Sequence, residues 1–397
     1  METIKKIIKK IAKIPMLLLY HFFILTNKVD KKIILFESNL GRNYSGNPRF
    51  IFEEMVSKGL DKKFQCYFIL EDVNTELPGK VSKIKRISLR YFYLFSKAGI
   101  WVSDTRMPLY LVKRSNTLYI QTWHGTPLKR LALDLFQVNM EGETNLENYK
   151  EKFAQNTKTW DYLLSQNSYS TKIFRSAFAY GKEILEIGYP RNDILLNKNN
   201  EITIREIKQR FHLPLDKKII LYAPTWRDNE YYGPHQYKFS SEIDFSYLEE
   251  KLSAEYIILV KAHYLVSEEI DYSRFQGFLY QFGAAYDIAE LYLVSDLLIT
   301  DYSSVMFDYS ILNRPMVFYT YDLEQYKDKL RGFYFDFINE APGPIAITTE
   351  QLVTSILQYN EQEFEVKYKT FKDKYNHADC GDASNKVVDL ILSQGGI

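Results

Sequence analysis

Apolar residues in the first half of the chain fall in short blocks that stop abruptly at small, polar or turn-forming residues. Ile33 to Glu37, Gln65 to Leu70, Ile100 to Ser103, Thr117 to Thr122, Leu163 to Asn167 and Ile184 to Gly188 read as strands. Helical periodicity separates them over Pro48 to Lys58, over Leu89 to Ala98 and from Ser170. Strands that alternate with helices predict a mostly parallel sheet covered on both faces. Tyr189 to Asp193 and the polar stretch Asn197 to Glu201 read as a connection, because Pro, Gly and Asn break both regular structures. A second alternating series starts at Lys218. Its strands end at Pro224, cover Tyr256 to Lys261, recur near Phe278, and occupy Leu297 to Thr300 and Met316 to Tyr319.

The predicted fold class is α/β: two doubly wound Rossmann-like domains, 29–196 and 197–397, whose facing strand ends make a central cleft, the GT-B arrangement. The length of 397 residues suits two domains. Before them, Ile4, Ile7, Ile8, Ile11 and Ile14 recur at helical spacing with Lys5, Lys6, Lys9, Lys10 and Lys13 between them. One face is apolar and the other cationic, which fits the surface of an anionic membrane. Pro15 is expected to interrupt this helix. The run Met16 to Leu25, broken by His21, is about half the ~20 residues a spanning helix needs. Residues 1–28 are therefore expected to be a membrane-associating segment, with contact through 1–25; a docking helix and a signal peptide are the alternatives, and no small-residue cleavage site follows.

A formal charge of +1 argues against a basic nucleic-acid binder, so no nucleic-acid partner is expected. Cys66 and Cys380 form no disulfide framework, which fits a reducing, intracellular compartment. Aromatic residues scatter through the periodic segments and read as packing.

Three strand ends carry candidate chemistry. Gln121-Thr122-Trp123-His124-Gly125-Thr126-Pro127-Leu128-Lys129 places an imidazole on a tight loop; Ala223-Pro224-Thr225-Trp226-Arg227 and Thr300-Asp301-Tyr302-Ser303-Ser304 share its grammar. The last sets hydroxyls and a carboxylate where a strand turns into a helix, whose free N–H groups can hold a phosphate. Ordinary capping by Asp301 or Ser303 is the alternative. Lys261-Ala262-His263-Tyr264 adds a second imidazole, and a histidine at one strand end is more often structural than catalytic. His21, His212, His235 and His377 read as structural. No Asp-x-Asp pair or His-Glu-x-x-His motif calls for a metal, and no glycine-rich nucleotide fingerprint is present. Lys129, Arg227 and Arg331 could supply positive potential.

Taken together with Gly188-Tyr189-Pro190-Arg191-Asn192-Asp193, Arg331-Gly332-Phe333-Tyr334 and Pro342-Gly343-Pro344, these segments resemble the CDP-glycerol glycerophosphotransferases of teichoic acid synthesis. The resemblance runs from about Trp101 to Pro344. It implies a CDP-glycerol donor, a polyprenyl-diphosphate-linked saccharide or growing polymer as acceptor, release of CMP, and a peripheral position on the cytoplasmic face of the membrane; no cofactor is expected. It also implies that His124 and His263 are the critical pair. On that basis His124 is the expected general base, while His263 with Ser303 and Ser304 holds the diphosphate. Arg227 and Arg331 are expected phosphate clamps, and Gly125, Thr126, Lys129, Arg191, Pro224, Thr225, Thr300 and Asp301 complete the substrate-binding set. A CDP-ribitol donor and a nucleotide-sugar glycosyltransferase are the alternatives. The length favours a primase or short-chain transferase over a large polymerase.

Overall fold

The computed structural model describes residues 2–138, 145–225, 231–233, 236–238, 242–261, 266–267, 270–323, 332–334 and 336–395, with backbone alone for 2–13, for the segments between 231 and 238, and for 266–267 and 395. The first lobe is built on a seven-stranded sheet: β1 (Asp30–Glu37), β2 (Gln65–Leu70), β3 (Val81–Lys85), β4 (Ala98–Ser103), β5 (Leu118–Gln121), β6 (Tyr162–Ser165) and β7 (Glu183–Glu186). Its order is β3-β2-β1-β4-β5-β6-β7, with every pairing parallel. The connecting helices are α2 (Gly46–Ser57), α3 (Leu89–Lys97), α4 (Leu146–Thr157) and α5 (Ser168–Ala177), after an N-terminal α1 (Glu2–Thr26).

Beyond α6 (Asp193–Asn197) and α7 (Glu201–Arg210) the second lobe begins with β8 (Lys218–Ala223). Short strands β9 (Tyr231–Gly233), β10 (Gln236–Lys238) and β12 (Val266–Ser267) make a small separate sheet. The main sheet adds β11 (Tyr256–Val260), β13 (Leu279–Gln281), β14 (Leu297–Thr300), β15 (Met316–Tyr319) and β16 (Ile345–Ala346), in the order β13-β11-β8-β14-β15-β16, again parallel. Its helices include α8 (Phe245–Leu252), α9 (Ile288–Val294) and α10 (Val305–Tyr309). The expected pair of doubly wound sheets is therefore present.

Both faces of each sheet are sealed by apolar side chains, as parallel strands require. In the first lobe Leu35, Trp101 and Tyr119 pack under α3, while Phe36, Phe68 and Val102 pack on the other face. Val387, Val388 and Ile391 from the last helix, Ala383–Gly395, join that second cluster. The expected second domain, 197–397, thus loses its final helix to the first lobe. Apolar periodicity makes a helix but does not say which sheet it will cover.

Pro15 does not end α1, contrary to the expected interruption. A proline removes one backbone hydrogen bond and crowds the preceding turn, but packing against α3 supports the stretch that follows. Tyr20 is fully buried beside Phe92 at 5.7 Å, and Phe23 meets Tyr93 edge-on at 5.4 Å. Ile14, Leu18, Phe22 and Leu25, at spacings of four, four and three, remain exposed.

Strand direction of addition reverses between β1 and β4, and again between β8 and β14. Ligands in such sheets bind outside the carboxyl ends of the strands at these switch points. Residues after β1 and β4 in one lobe, and after β8 and β14 in the other, flank these switch points, with the loop after β5 beside them.

Candidate active site

β5 stops at Gln121, and the chain turns through Trp123 at φ 52°, a left-handed conformation rare for a bulky residue. Several bonds hold it there. Trp123 N–H donates to Gln121 Oε1 at 2.9 Å, and Asn47 Nδ2 donates to the carbonyls of Thr122 and Trp123 at 3.2 and 3.0 Å. Arg191 Nη1 donates to the His124 carbonyl at 2.8 Å. The Trp123 ring stacks on His124 at 4.3 Å and meets Phe178 at 4.6 Å.

His124 Nδ1 lies 2.8 Å from the Asp104 carbonyl oxygen. A carbonyl can accept but not donate, so Nδ1 carries the proton and Nε2 keeps its lone pair in the neutral ring. His124 is exposed, and the next residue, Gly125, lies against Ser304 of the second lobe. Loss of hydration, helped by the charges of Arg191 and Arg106 and opposed by the Asp104 bond, pushes its pKa down to about 4. The imidazole is therefore a neutral acceptor at physiological pH.

The second lobe meets this loop directly. A Cβ placed on Gly125 would sit 2.9 Å from Ser304 Oγ, so the absence of a side chain lets the two lobes touch beside His124. Ser303, Ser304 and Val305 are partly exposed at the start of α10. Ser304, the N-cap, makes no side-chain capping bond, and Ser303 Oγ lies 3.5 Å from Val305 N, too long for a firm cap. Asp301 is directed elsewhere: Thr225 donates to its Oδ1 from both N–H and hydroxyl at 2.9 Å. Thr300, fully buried, donates to the Ala223 carbonyl at 2.7 Å. Thr225, Thr300 and Asp301 thus join the ends of β8 and β14, and the capping alternative for this segment does not hold for Asp301.

Beneath the loop a polar network crosses the lobes. Arg191 Nη2 donates to Asp308 Oδ2 at 2.5 Å, and Asn192 Nδ2 donates to Oδ1 at 3.1 Å. Thr126, buried, donates to Gln166 Oε1 at 2.6 Å, and Gln166 Nε2 donates to Asp379 at 2.9 Å. Thr126 and Arg191 therefore make firm bonds within the protein. Lys129 forms an isolated bridge with Phe333; Arg130 N–H donates to the Gly332 carbonyl at 3.1 Å, and Tyr334 N–H to the Leu128 carbonyl at 3.0 Å. A strap from the second lobe is laid on the segment that continues the His124 loop. Gly125, Pro224, Ser303 and Ser304 lie at the facing strand ends as expected. His263, Arg227 and Arg331, together with His235, lie outside the described residues.

The family described as CDP-glycerol:poly(glycerophosphate) glycerophosphotransferase matches residues 18–393. The chain belongs to this family. The teichoic acid poly(glycerol phosphate) polymerase of Bacillus subtilis (strain 168) is 46% identical over 98% of this chain, which spans about half, 53%, of that polymerase. The teichoic acid glycerol-phosphate transferase of Staphylococcus aureus (strain NCTC 8325 / PS 47) is 40% identical over 98% of this chain and 100% of its own length. The solved structure of the wall teichoic acid polymerase TagF superimposes with a TM-score of 0.90 at 42% identity, covering 98% of this chain and 96% of that one. That polymerase has also been solved as a histidine-to-asparagine variant with CDPG.

In this glycerophosphotransferase fold the sequence reading missed four residues of the site: Asn47, Asp104, Arg106 and Asp308. Asp104 follows β4 as His124 follows β5, so the strand-end grammar could have found it. Burial pushes its carboxyl up to about 6, against hydrogen bonds from Asn39 N–H and Ser38. Asn47 and Asp308 sit inside helices and carry no local signal. Among the described residues no group of three or more His, Cys, Asp or Glu could hold a metal ion.

Proposed function

We propose that this chain transfers glycerol phosphate from CDP-glycerol to a hydroxyl of a polyprenyl-diphosphate-linked saccharide or short poly(glycerol phosphate), releasing CMP. The observation that carries this reading is the tautomer of His124, whose unprotonated Nε2 is available on a rigid loop pressed against Ser304. His124 takes the proton of the acceptor hydroxyl as its oxygen attacks the phosphorus that bears glycerol; the bond from that phosphorus to the bridging oxygen breaks, and CMP leaves. Alignment and charge stabilisation supply most of the acceleration in such transfers. Ser303 and Ser304 hold the donor diphosphate, with His263 and the cations Arg227 and Arg331 assigned to the same anion on the strength of the family motif.

The same reading puts the protein on the cytoplasmic face of the membrane as a peripheral protein. Support comes from the lysine-rich start of α1 and from its exposed row of Ile14, Leu18, Phe22 and Leu25, near exposed Leu89 and Tyr93 of α3. No helix among the described residues is long and apolar enough to cross a membrane.

The test is mass spectrometry of products from a lipid-linked disaccharide offered CDP-glycerol and CDP-ribitol in parallel, with CMP measured. Glycerol phosphate addition with matching CMP supports the proposal. Ribitol phosphate addition alone moves the donor assignment, and turnover of a UDP-sugar without CMP overturns the reaction class.

A further inference from the structure

Two arginines lie near the base: Arg191, bonded to its carbonyl, and Arg106, on the loop whose Asp104 carbonyl meets its Nδ1. Arg191 is neutralised by Asp308 at 2.5 Å. Arg106, two residues beyond Asp104 on the loop after β4, has no carboxylate within ion-pair distance among the described residues. Its guanidinium rests instead on the rings of Phe153, at 4.3 Å, and Tyr149, at 5.8 Å, both on α4. The groups that influence it are burial and the phenols of Tyr149 and Tyr119, with no acid among them. It also lies close enough to His124 for its charge to disfavour protonation of the imidazole.

A cation that is largely desolvated and left without a counter-ion costs free energy unless something supplies the missing charge. Stacking on aromatic faces recovers part of that cost and fixes the plane of the guanidinium. It leaves the N–H edges available, and those edges match two oxygens of a phosphate. The position is informative too. Arg106 belongs to the first lobe, two residues beyond the Asp104 carbonyl that meets His124 Nδ1 at 2.8 Å, so an anion bound to it would arrive with the acceptor and not with the nucleotide held by Ser303 and Ser304.

We propose that Arg106 binds a phosphate oxyanion of the acceptor and so places the attacking hydroxyl against His124 Nε2. This deepens the proposed function and rests on it. Two acceptor anions share this chemistry, the diphosphate of the lipid carrier and the phosphodiester of an already added glycerol phosphate unit. Selection of an anionic over a neutral acceptor would originate here.

The experiment compares the full-length protein with Arg106→Met, which keeps a stem to pack on Phe153, and with Arg106→Lys, which keeps the charge but loses the two-pronged geometry. Initial rates are measured with the lipid-diphosphate disaccharide, with a synthetic glycerol phosphate dimer on a neutral alkyl glycoside, and with the same glycoside lacking phosphate. In Arg106→Met the KM for the anionic acceptor that uses this site rises on the order of 10-fold or more, with Arg106→Lys intermediate. The KM for CDP-glycerol shifts less than the acceptor KM, and the rate advantage of the anionic acceptor over the neutral glycoside shrinks. The affected arm identifies which phosphate is read. An unchanged acceptor KM in both arms, or a rise confined to CDP-glycerol, overturns the proposal. Should Arg106→Met fail to fold, Arg106→Lys with wild-type acceptor KM in both arms overturns it as well. Calorimetric titration of wild type and variants with the glycerol phosphate dimer reads anion binding without turnover. If the wild type releases no CMP from CDP-glycerol, the transferase reading fails, while loss of that binding in Arg106→Met still supports an anion site at Arg106.

Discussion

The two lobes bring the same feature to the cleft, the carboxyl ends of parallel strands at a topological switch, and equip it in opposite ways. The first lobe presents one imidazole on a loop whose backbone is fastened by Asn47, Gln121 and Arg191 and whose ring is clamped between Trp123 and the Asp104 carbonyl. The second lobe presents Ser303 and Ser304 at the start of a helix of five residues, with hydroxyls that can rotate. A base must be aimed at one proton, whereas an anion can be met by any of several donors. Rigidity belongs on the first lobe and adaptability on the second.

The largest expected effect comes from removing the aimed group. His124→Ala should lower kcat by roughly 10²- to 10⁴-fold, the usual worth of a positioned general base, while calorimetric binding of CDP-glycerol persists. If single-turnover transfer survives, the base lies elsewhere and the contrast between the lobes collapses. In the wild type the acid limb of kcat/KM should fall below the ordinary histidine value of 6.5, because His124 is pushed down to about 4 and stays neutral until the pH approaches that region. An acid limb at or above 6.5 would break the picture of a desolvated ring.

Next comes the tie between lobes. Arg191 joins the His124 carbonyl to Asp308, four residues beyond Ser304 on the same short helix. Arg191→Met should cost roughly 10- to 100-fold in kcat, since displacement of a reacting group by about an ångström is worth that much. Binding of CDP-glycerol should hardly change. A large loss of donor affinity with normal kcat would return Arg191 to the role of substrate clamp.

A smaller effect is expected at the contact itself. In Gly125→Ala the new methyl meets Ser304 Oγ, which can turn away by changing rotamer. A rise of a few-fold in the KM for CDP-glycerol is expected, because Ser304 would then leave the position in which it is proposed to hold the donor. An unchanged KM would mean that Ser304 does not touch the donor.

Much of this was legible in the sequence for a plain reason: strands of parallel sheets are apolar on both faces, so β14 and β15 appear as unbroken runs ended by polar residues. The edge strand β3 was not legible, because Val81-Ser82-Lys83-Ile84-Lys85 carries two lysines and a serine among its five residues, as an exposed edge allows. Which sheet the last helix covers depends on contacts more than 300 residues apart in sequence, as between that helix and α2. His124 stood out because imidazole, glycine and proline coincide at one strand end. The internal bonds of Thr126 and Arg191 were not legible, because motif membership does not distinguish a residue that touches substrate from one that holds another in place. Asn47 lies at the start of α2, and its role exists only once β5 and Arg191 have been folded around it.

The same contrast extends to the buried acids, and here the expected effect on turnover is smallest while the thermodynamic sign is firm. In the second lobe Asp308 is matched by Arg191. In the first, Glu37 at the end of β1 is fully buried with one oxygen bonded to Arg86 at 3.2 Å and the other, Oε2, without a partner among the described residues. Burial, only partly offset by Arg86, pushes its pKa up to about 7 from an ordinary 4.5. The folded state therefore binds this proton more tightly than the unfolded chain. Its contribution to stability is full below about pH 4.5 and is lost as the pH rises through 7. Asp104 and Asp379, each pushed up to about 6 by burial, act in the same direction over a lower window. Glu37→Gln keeps the shape and removes the titration, at some cost from leaving Arg86 unpaired. Its absolute stability is thus less informative than its slope: between pH 5 and 8 the wild-type melting temperature should drop relative to the variant's, with a residual slope below pH 6 from Asp104 and Asp379. Parallel melting curves across that range would mean that Glu37 is already ionised and paired, and that the two lobes treat their buried acids alike.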